Sequence, residues 1–278
     1  MPELPDLVYL EKQLNSFSPG KKIAGLKIKE PIVFRILVPD GVEAALTGSR
    51  FEAIRRHGPF LCFTFDAKIE LICHFMLAGR LQFISQDHKP ARGLCCTFEL
   101  DDAHALHYLD DKKMGKLYVV QAGDYERIPK FLQQGLDILS DDFTLKAFAQ
   151  RIHKRRHQVR VFLMDQTVLS AIGNAYADEI LFHARIHPKT TCNQLNTTEI
   201  ERLFSSTRQV MQWGIQEVEK AQQPIEVKVR GHLKVRNRAN QPCPECGTTI
   251  RRTGVLGHDS FFCPACQPAR RRQFIDWT

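Results

Sequence analysis

Ile172-Gly173-Asn174-Ala175-Tyr176 is the stretch on which the fold of this chain turns. On both sides of it apolar residues recur at helical spacing, from about Phe143 to about Lys220, and here a glycine and an asparagine break that period. The break reads as a turn between two helices. A Gly-Asn turn that opens a helix exposes backbone N–H groups at the helix N-terminus, a natural seat for a phosphate. On the pattern alone, a plain helical hairpin without a ligand is the favoured reading.

Working outward, Ser140-Asp141-Asp142-Phe143 reads as the N-cap that starts the helical region. His187-Pro188 ends the helix after the turn, and Thr197-Thr198-Glu199 caps the next. Upstream, from about Asp124 to Gly135, the chain looks like a linker. Before that lie short strand-like runs: Ile23 to Ile28, Phe51 to Ile54, Phe60 to Phe65, Leu71 to Phe75, Leu81 to Ile84, Leu94 to Leu100, Ala105 to Leu109 and Lys116 to Val120. Turn residues such as Asp40-Gly41, His57-Gly58-Pro59 and Asp101-Asp102 separate them. A helix precedes them all, carried by Leu7, Leu10, Leu14 and Phe17 and stopped by Pro19-Gly20. The expectation is an α+β chain of two domains. Residues 1–123 form a β-sandwich with a leading helix, 124–139 a linker, 140–238 a helical domain, and 239–278 a small metal-bearing end and tail.

That end has the most specific spacing. Cys243-Pro-Glu-Cys246 and Cys263-Pro-Ala-Cys266 are two C-x-x-C knuckles separated by 16 residues. Four thiolates at that spacing suit one tetrahedral Zn²⁺ in a closed, structural site. Disulfides or redox pairs do not suit a cytosolic chain. Thr248 to Arg252 and Phe261-Phe262 read as the strands of a hairpin whose tip runs from Gly254 to Ser260. The other five of the nine cysteines, Cys62, Cys73, Cys95, Cys96 and Cys192, have no metal spacing and read as buried thiols.

The chain's 278 residues are 43% hydrophobic and 25% charged, an ordinary globular balance. No apolar run approaches the ~18 residues of a membrane span. Glu3 and Asp6 stand where a signal peptide would be basic, so a cytoplasmic, nucleoid-associated protein is expected. The net charge is +8 with a pI of about 9.1. The basic residues cluster at Arg151 to His157, Lys228 to Arg238 and Arg270-Arg271-Arg272, which points to a polyanion such as nucleic acid.

Met1-Pro2-Glu3 then acquires a chemical meaning. Removal of the initiator methionine before so small a residue leaves Pro2 with a free secondary amine. A main-chain amine titrates at about 7.7–8.0, so a useful fraction is an uncharged nucleophile at neutral pH. Its attack on a sugar aldehyde carbon yields an iminium ion, a strong electron sink. Alone, Pro2 also reads as no more than a stiff chain start.

Taken together, these pieces resemble the formamidopyrimidine-DNA glycosylase / endonuclease VIII family of base-excision-repair enzymes. Four segments carry the resemblance: Met1-Pro2-Glu3-Leu4-Pro5-Asp6; Gly135 through Phe143; Phe162-Leu163-Met164-Asp165 through Gly173-Asn174-Ala175-Tyr176-Ala177-Asp178-Glu179 to Ile186-His187-Pro188; and the cysteine knuckles with Gln267. The third looks like the family's helix–two-turns–helix. The resemblance implies a monomer that acts on double-stranded DNA with damaged bases or abasic sites and flips the lesion into a pocket. Pro2 would attack C1′, and Glu3 would act as general acid and base. Asn174 would hold a phosphate, and Arg160, in place of a family lysine, would add charge beside it. The zinc, one per chain, would hold the finger.

Two positions depart from the family pattern. A lysine expected on a turn before the Phe60 strand is Pro59, and an arginine expected five residues before the third cysteine is His258. Histidine offers one N–H where an arginine would bind bidentately, and proline offers no donor at all. Met76 or Leu77 occupies the region of the residues that fill the gap left by a flipped base. Lys113 and Met114 stand where arginine and phenylalanine are usual. Each methionine also reads as packing. Between Lys220 and Leu233 the chain is shorter than in oxidised-purine specialists, which argues against a preference for 8-oxoguanine. The replaced cations leave a second reading, a damaged-DNA-binding protein on the same scaffold with weakened or lost catalysis.

Overall fold

The computed structural model describes residues 1–269. Its chain forms two compact units, one of Met1–Gln133 with Ile215–Val229, the other of Gln134–Gly214 with the chain from Arg230 onward. Residues 215–229, inside the span expected for the helical domain, thus group with the first unit. The run Arg270-Arg271-Arg272 lies outside the described residues.

The first unit opens with helix α1 (Leu4–Phe17), whose Leu4, Leu7, Leu10 and Leu14 are all buried. Nine strands follow: β1 (Ile23–Ile28), β2 (Phe34–Ile36), β3 (Phe51–His57), β4 (Phe60–Phe65), β5 (Ile69–His74), β6 (Arg80–Ser85), β7 (Leu94–Leu100), β8 (His104–Leu109) and β9 (Lys116–Gln121). They form a four-stranded sheet in the order β1-β7-β8-β6 and a five-stranded sheet in the order β2-β9-β5-β4-β3. This is the expected sandwich. The interior strand β4 is an almost unbroken apolar run and is buried nearly throughout, where an edge strand would alternate. The edge strand β3 is covered by α1. The Asn15 amide donates to the Ile54 carbonyl (2.6 Å) and accepts from its N–H (2.9 Å), as a neighbouring strand would, and Glu11 accepts from the N–H of Arg56 (2.9 Å). These bonds fix the start of the chain against the sandwich.

Sequence periodicity missed β2, which spans three residues, and the short helix α2 (Gly41–Leu46) that follows the expected Asp40-Gly41 turn. Both are too short to show a period. The stretch read as a linker buries Ile128 and Phe131 in a cluster with Phe60, Ile72 and Val120, so it is part of the core.

The second unit contains α3 (Leu145–His153), α4 (Val159–Met164), α5 (Asn174–His183) and most of α6 (Thr197–Lys220). Two caps differ from expectation. Thr144, and not Ser140, caps α3 by accepting from the Ala147 N–H (3.2 Å), while the Ser140 hydroxyl donates to the Asp137 carbonyl (2.8 Å). Asn196 caps α6: its side chain accepts from the Glu199 N–H, and Glu199 accepts from the Asn196 N–H, both at 2.9 Å. Helix α5 ends at His183 with Ala184 as its C-cap, four residues before His187. Strands β10 (Arg251–Val255) and β11 (His258–Phe262) form the terminal hairpin, with a tip of only Leu256 and Gly257. The hairpin is longer and its tip tighter than the sequence suggested.

Candidate active site and nucleic-acid interface

In the first unit the expected catalytic residues lie at the chain start. Pro2 is buried, and Glu3, only 4% exposed, is the N-cap of α1. Glu3 takes part in a capping box: its carboxylate accepts from the N–H of Asp6, and the Asp6 carboxylate accepts from the N–H of Glu3 at 2.8 Å. The sequence places Pro5 inside the first turn, where its missing N–H costs nothing. One local device therefore starts the helix and buries a carboxyl beside Pro2. The amine of Met1 donates to the Leu77 carbonyl (2.9 Å). Burial, then the nearby Lys228 ammonium, pull this amine from its ordinary value near 8.0 down to about 6, against the opposing pull of Glu3 and Asp6. His74, the last residue of β5, is pulled down to about 4, first by burial and then by the charge of the same amine. Its Nδ1 accepts from the Met76 N–H (3.3 Å). Pro2 also lines a small pocket with Asp6, Tyr9, Arg80 and Lys228.

Met76 has a left-handed backbone (φ 48°) and is half-buried, while Leu77 is 61% exposed. Of the two, Leu77 presents its side chain to solvent. Lys113, also left-handed (φ 53°), pairs with Glu30 (2.7 Å), and Met114 is 41% exposed. Their loop is shaped by buried Asp110, which accepts from the N–H groups of Lys112 (2.9 Å) and Gly115 (2.7 Å). Gly115 is required there, since a Cβ would fall 1.8 Å from the Tyr108 hydroxyl oxygen. Pro59 is buried in the two-residue turn between β3 and β4, after Gly58 at φ 53°. Of its basic neighbours, His57 is committed through Nε2 to the Phe131 carbonyl (2.7 Å).

In the second unit, α4 and α5 are joined by two successive turns. Asp165 accepts from the N–H and hydroxyl of Thr167, and Gln166 bonds the Met164 and Ile172 carbonyls and the Ala171 N–H. Gln166 thereby holds Ala171 in the left-handed region (φ 61°), which β-carbon sterics disfavour. Asn174 follows as the first residue of α5. Arg160 is 1% exposed, so it is not a free surface charge. Its guanidinium donates to Asp178 (2.9 Å), to the Asn174 side-chain oxygen (2.8 Å) and to the Asp259 carbonyl (3.0 Å). The structure thus joins Arg160 and Asn174 to the residue beside His258, and Arg160 and His258 line one cavity of about 320 Å³. His258 itself is exposed at the start of β11.

Sequence reasoning assigned no role to Asp178 or Glu179. Asp178 is fully buried and accepts from Arg160, Arg236 (2.8 Å), the Ser260 hydroxyl (2.7 Å) and the Phe261 N–H (3.2 Å), joining α5 to the hairpin. Glu179 accepts from the backbone N–H groups of Lys234, Val235 and Arg236, each at 2.9 Å. Burial pushes its carboxyl above the ordinary range, and those bonds oppose the shift. Two adjacent acids in an otherwise apolar helix were the visible signal. Lys228 and His74 had no comparable signal.

The four expected zinc ligands converge, with Cys243, Cys246, Cys263 and Cys266 offering sulfurs that all lie within 4.8 Å of one another. Sulfur separations of 3.4, 3.5 and 3.9 Å match the edge of a thiolate tetrahedron, about 3.8 Å for Zn–S bonds of about 2.3 Å. The donor set fits a structural Zn²⁺. Buried Gln267 accepts from the Cys263 N–H (3.0 Å) and donates to the Ile186 carbonyl (2.8 Å), seating the second knuckle. Among the described residues no helix is long and apolar enough to cross a membrane.

Comparison with known proteins agrees with this division. Residues 1–117 match the formamidopyrimidine-DNA glycosylase N-terminal domain, 134–224 the formamidopyrimidine-DNA glycosylase H2TH domain, and 240–269 the zinc finger found in FPG and IleRS. The formamidopyrimidine-DNA glycosylase of Symbiobacterium thermophilum is 32% identical over 274 residues, covering 96% of this chain and 90% of that protein. That of a Nocardioides species is 33% identical, covering 98% and 96%. Among solved structures, MutM (Fpg) of Thermus thermophilus superposes with a TM-score of 0.84 at 27% identity, covering 96% of this chain and 98% of that one. Lactococcus lactis Fpg, in a complex with DNA containing an abasic site, gives 0.87 at 26% identity, covering 96% and 100%. This chain belongs to the formamidopyrimidine-DNA glycosylase family.

Proposed function

We propose that the chain is a base-excision-repair glycosylase with abasic-site lyase activity on damaged bases in duplex DNA, Pro2 being the nucleophile and Glu3 its acid-base partner. The observation that carries this reading is the burial of Pro2 and Glu3 together at the start of α1. Loss of Met1 makes the Pro2 nitrogen the terminal amine. It attacks C1′ of the damaged nucleotide as the bond to the base breaks, the base leaving with the electron pair and gaining a proton. Glu3, as the acid, protonates the ring oxygen while the C1′–O4′ bond opens to the iminium. Loss of a C2′ proton sends its electron pair into the iminium, giving an enamine, and the enamine then expels the 3′ phosphate with the C3′–O pair and becomes a conjugated iminium. Glu3 can return protons through these steps because it is buried beside the reacting nitrogen.

DNA binding rests on the second unit and on net charge. Asn174 takes a backbone phosphate in this reading, which its position at the head of α5 and its bond from Arg160 support. His258 offers the finger one weaker contact than an arginine would. The solved Lactococcus lactis relatives hold abasic-site DNA and DNA with a modified formamidopyrimidine lesion, which supports the same substrate class here.

The test is incubation with duplex DNA bearing one abasic site in the presence of borohydride. Wild-type protein lacking Met1 should yield a covalent adduct. Pro2→Gly should lower the yield at least about tenfold, and Glu3→Gln should slow formation roughly 10²-fold or more. Tight binding without adduct or nicking by the wild type would remove the enzymatic reading and leave a damage-binding protein.

A further inference from the structure

The pocket beside Pro2 is completed by residues more than two hundred positions along the chain, Glu226 and Lys228 among them. Their segment is fastened to the start of the chain at several points. The Tyr9 hydroxyl donates to the Gln223 carbonyl (2.7 Å), Gln82 donates to the Glu226 carboxylate (3.0 Å), and Lys12 of α1 pairs with Glu219. The Val227 N–H closes a turn on the Pro224 carbonyl (2.9 Å). So tethered, the segment places Lys228 in the lining of the same pocket as Pro2 and within hydrogen-bond reach of the Met1 amine that precedes it. By contrast, the turn where the family pattern places a lysine holds buried Pro59, which has no N–H and no charge.

We propose that Lys228 supplies, from the segment after α6, the reaction-centre cation displaced from the β3–β4 turn by Pro59. This rests on the reading of Pro2 as the nucleophile, and Lys228 acts through Pro2 as a positioning residue. A fixed positive charge disfavours a second one on the adjacent nitrogen, so the amine stays neutral and its lone pair stays available. The other groups around the amine do not serve this purpose. Glu3 and Asp6, on α1, pull in the opposite direction. His74, at the end of β5, is held neutral down to about pH 4. Arg80, at the start of β6, is paired with Asp111 (2.8 Å). Glu226 is acidic and bonded to Gln82, and the Tyr9 hydroxyl is uncharged, its pKa raised by burial and by Glu219. Lys228, by contrast, is a cation within hydrogen-bond reach of the Met1 amine.

Two titrations test this on the full-length protein without Met1. In one, ¹⁵N-proline-labelled protein is titrated by NMR and the terminal Pro2 nitrogen followed. In the other, the rate of borohydride-trapped adduct formation is measured against pH. Lys228 is exposed, so Lys228→Gln and Lys228→Arg are expected to fold. Lys228→Gln should raise the Pro2 pKa by about half a unit or more, as a unit charge about 5 Å away in water would require, and move the acidic limb of the rate profile equally. Lys228→Arg should restore both. A Pro2 titration unmoved in Lys228→Gln overturns the role of Lys228, whether or not an adduct forms. A titration that moves while the wild type forms no adduct supports that role and removes the nucleophile reading instead.

Discussion

Asp178 has no exposed surface, yet it accepts from two guanidinium groups, a hydroxyl and a backbone N–H. Taking such a carboxylate out of water is costly, and the fold offsets this with charge-assisted bonds on both oxygens. Its purpose is legible in what it holds, because Arg160 reaches Asn174 only while Asp178 fixes its other edge. Asp178→Asn should lower the stability of the folded protein by about 3–5 kcal/mol in urea denaturation, leaving a guanidinium buried without its counter-charge. A variant as stable as wild type would contradict that role. Spacing alone singled out the four cysteines, whereas Pro2 and Asn174 gained their candidate roles from the resemblance carried by the whole chain. The burial of Arg160 was not legible, because it depends on a partner eighteen positions away in the chain. Pro59 and His258 were legible as substitutions, but where their neighbours turn was not.

At the scale of elements, the two turns between α4 and α5 set where α5 begins, and so where Asn174 points. α6 approaches α5 closely at Gly214, where an added Cβ would lie 2.4 Å from the Tyr176 ring. That ring cannot yield easily: it is fully buried, and its hydroxyl is 3.0 Å from the His232 Nε2. Gly214→Ala gains about 0.8–1.0 kcal/mol of helix propensity but forces an overpacked contact costing about 1–3 kcal/mol. The contact should win, with a net loss on the order of 1 kcal/mol in thermal or urea unfolding, and a stabilised variant would show that the helices can part. Strand and helix positions were readable where the period ran for six or more residues, as at β1, β4 and β7. Caps were not, because Ser140 and Thr144 are both competent cap residues and only the backbone bonds choose between them. The hairpin tip was misjudged because strand pairing continues through Gly254 and Asp259, residues of low strand propensity.

At the scale of the whole molecule, the net charge of +8 suits a polyanionic partner, but part of the basic surface is spent internally. Arg236 and Arg160 serve Asp178, and Arg185 and Lys234 pair with Glu245. Which of the basic residues face solvent is something no count of residues reveals. Stability should also respond to acid through His74. Its folded value, about 4, lies below its ordinary 6.5, so the unfolded chain takes up the proton first. The contribution is complete above about pH 6.5 and is lost as the pH falls from there toward 4. Urea midpoints at pH 7.5, 5.5 and 4.5 should decline less steeply in His74→Gln than in the wild type. Equal slopes would mean that His74 titrates normally.

The central claim is that the chain's own first nitrogen does the chemistry, and the location of the covalent bond decides it. Protein without Met1 is reduced with borohydride on abasic-site duplex, digested, and mapped by mass spectrometry. The account predicts the sugar-derived mass on the peptide that begins at Pro2, attached to its nitrogen. The same mass on Lys228 or any other lysine, or an equal yield from protein that retains Met1, would contradict it.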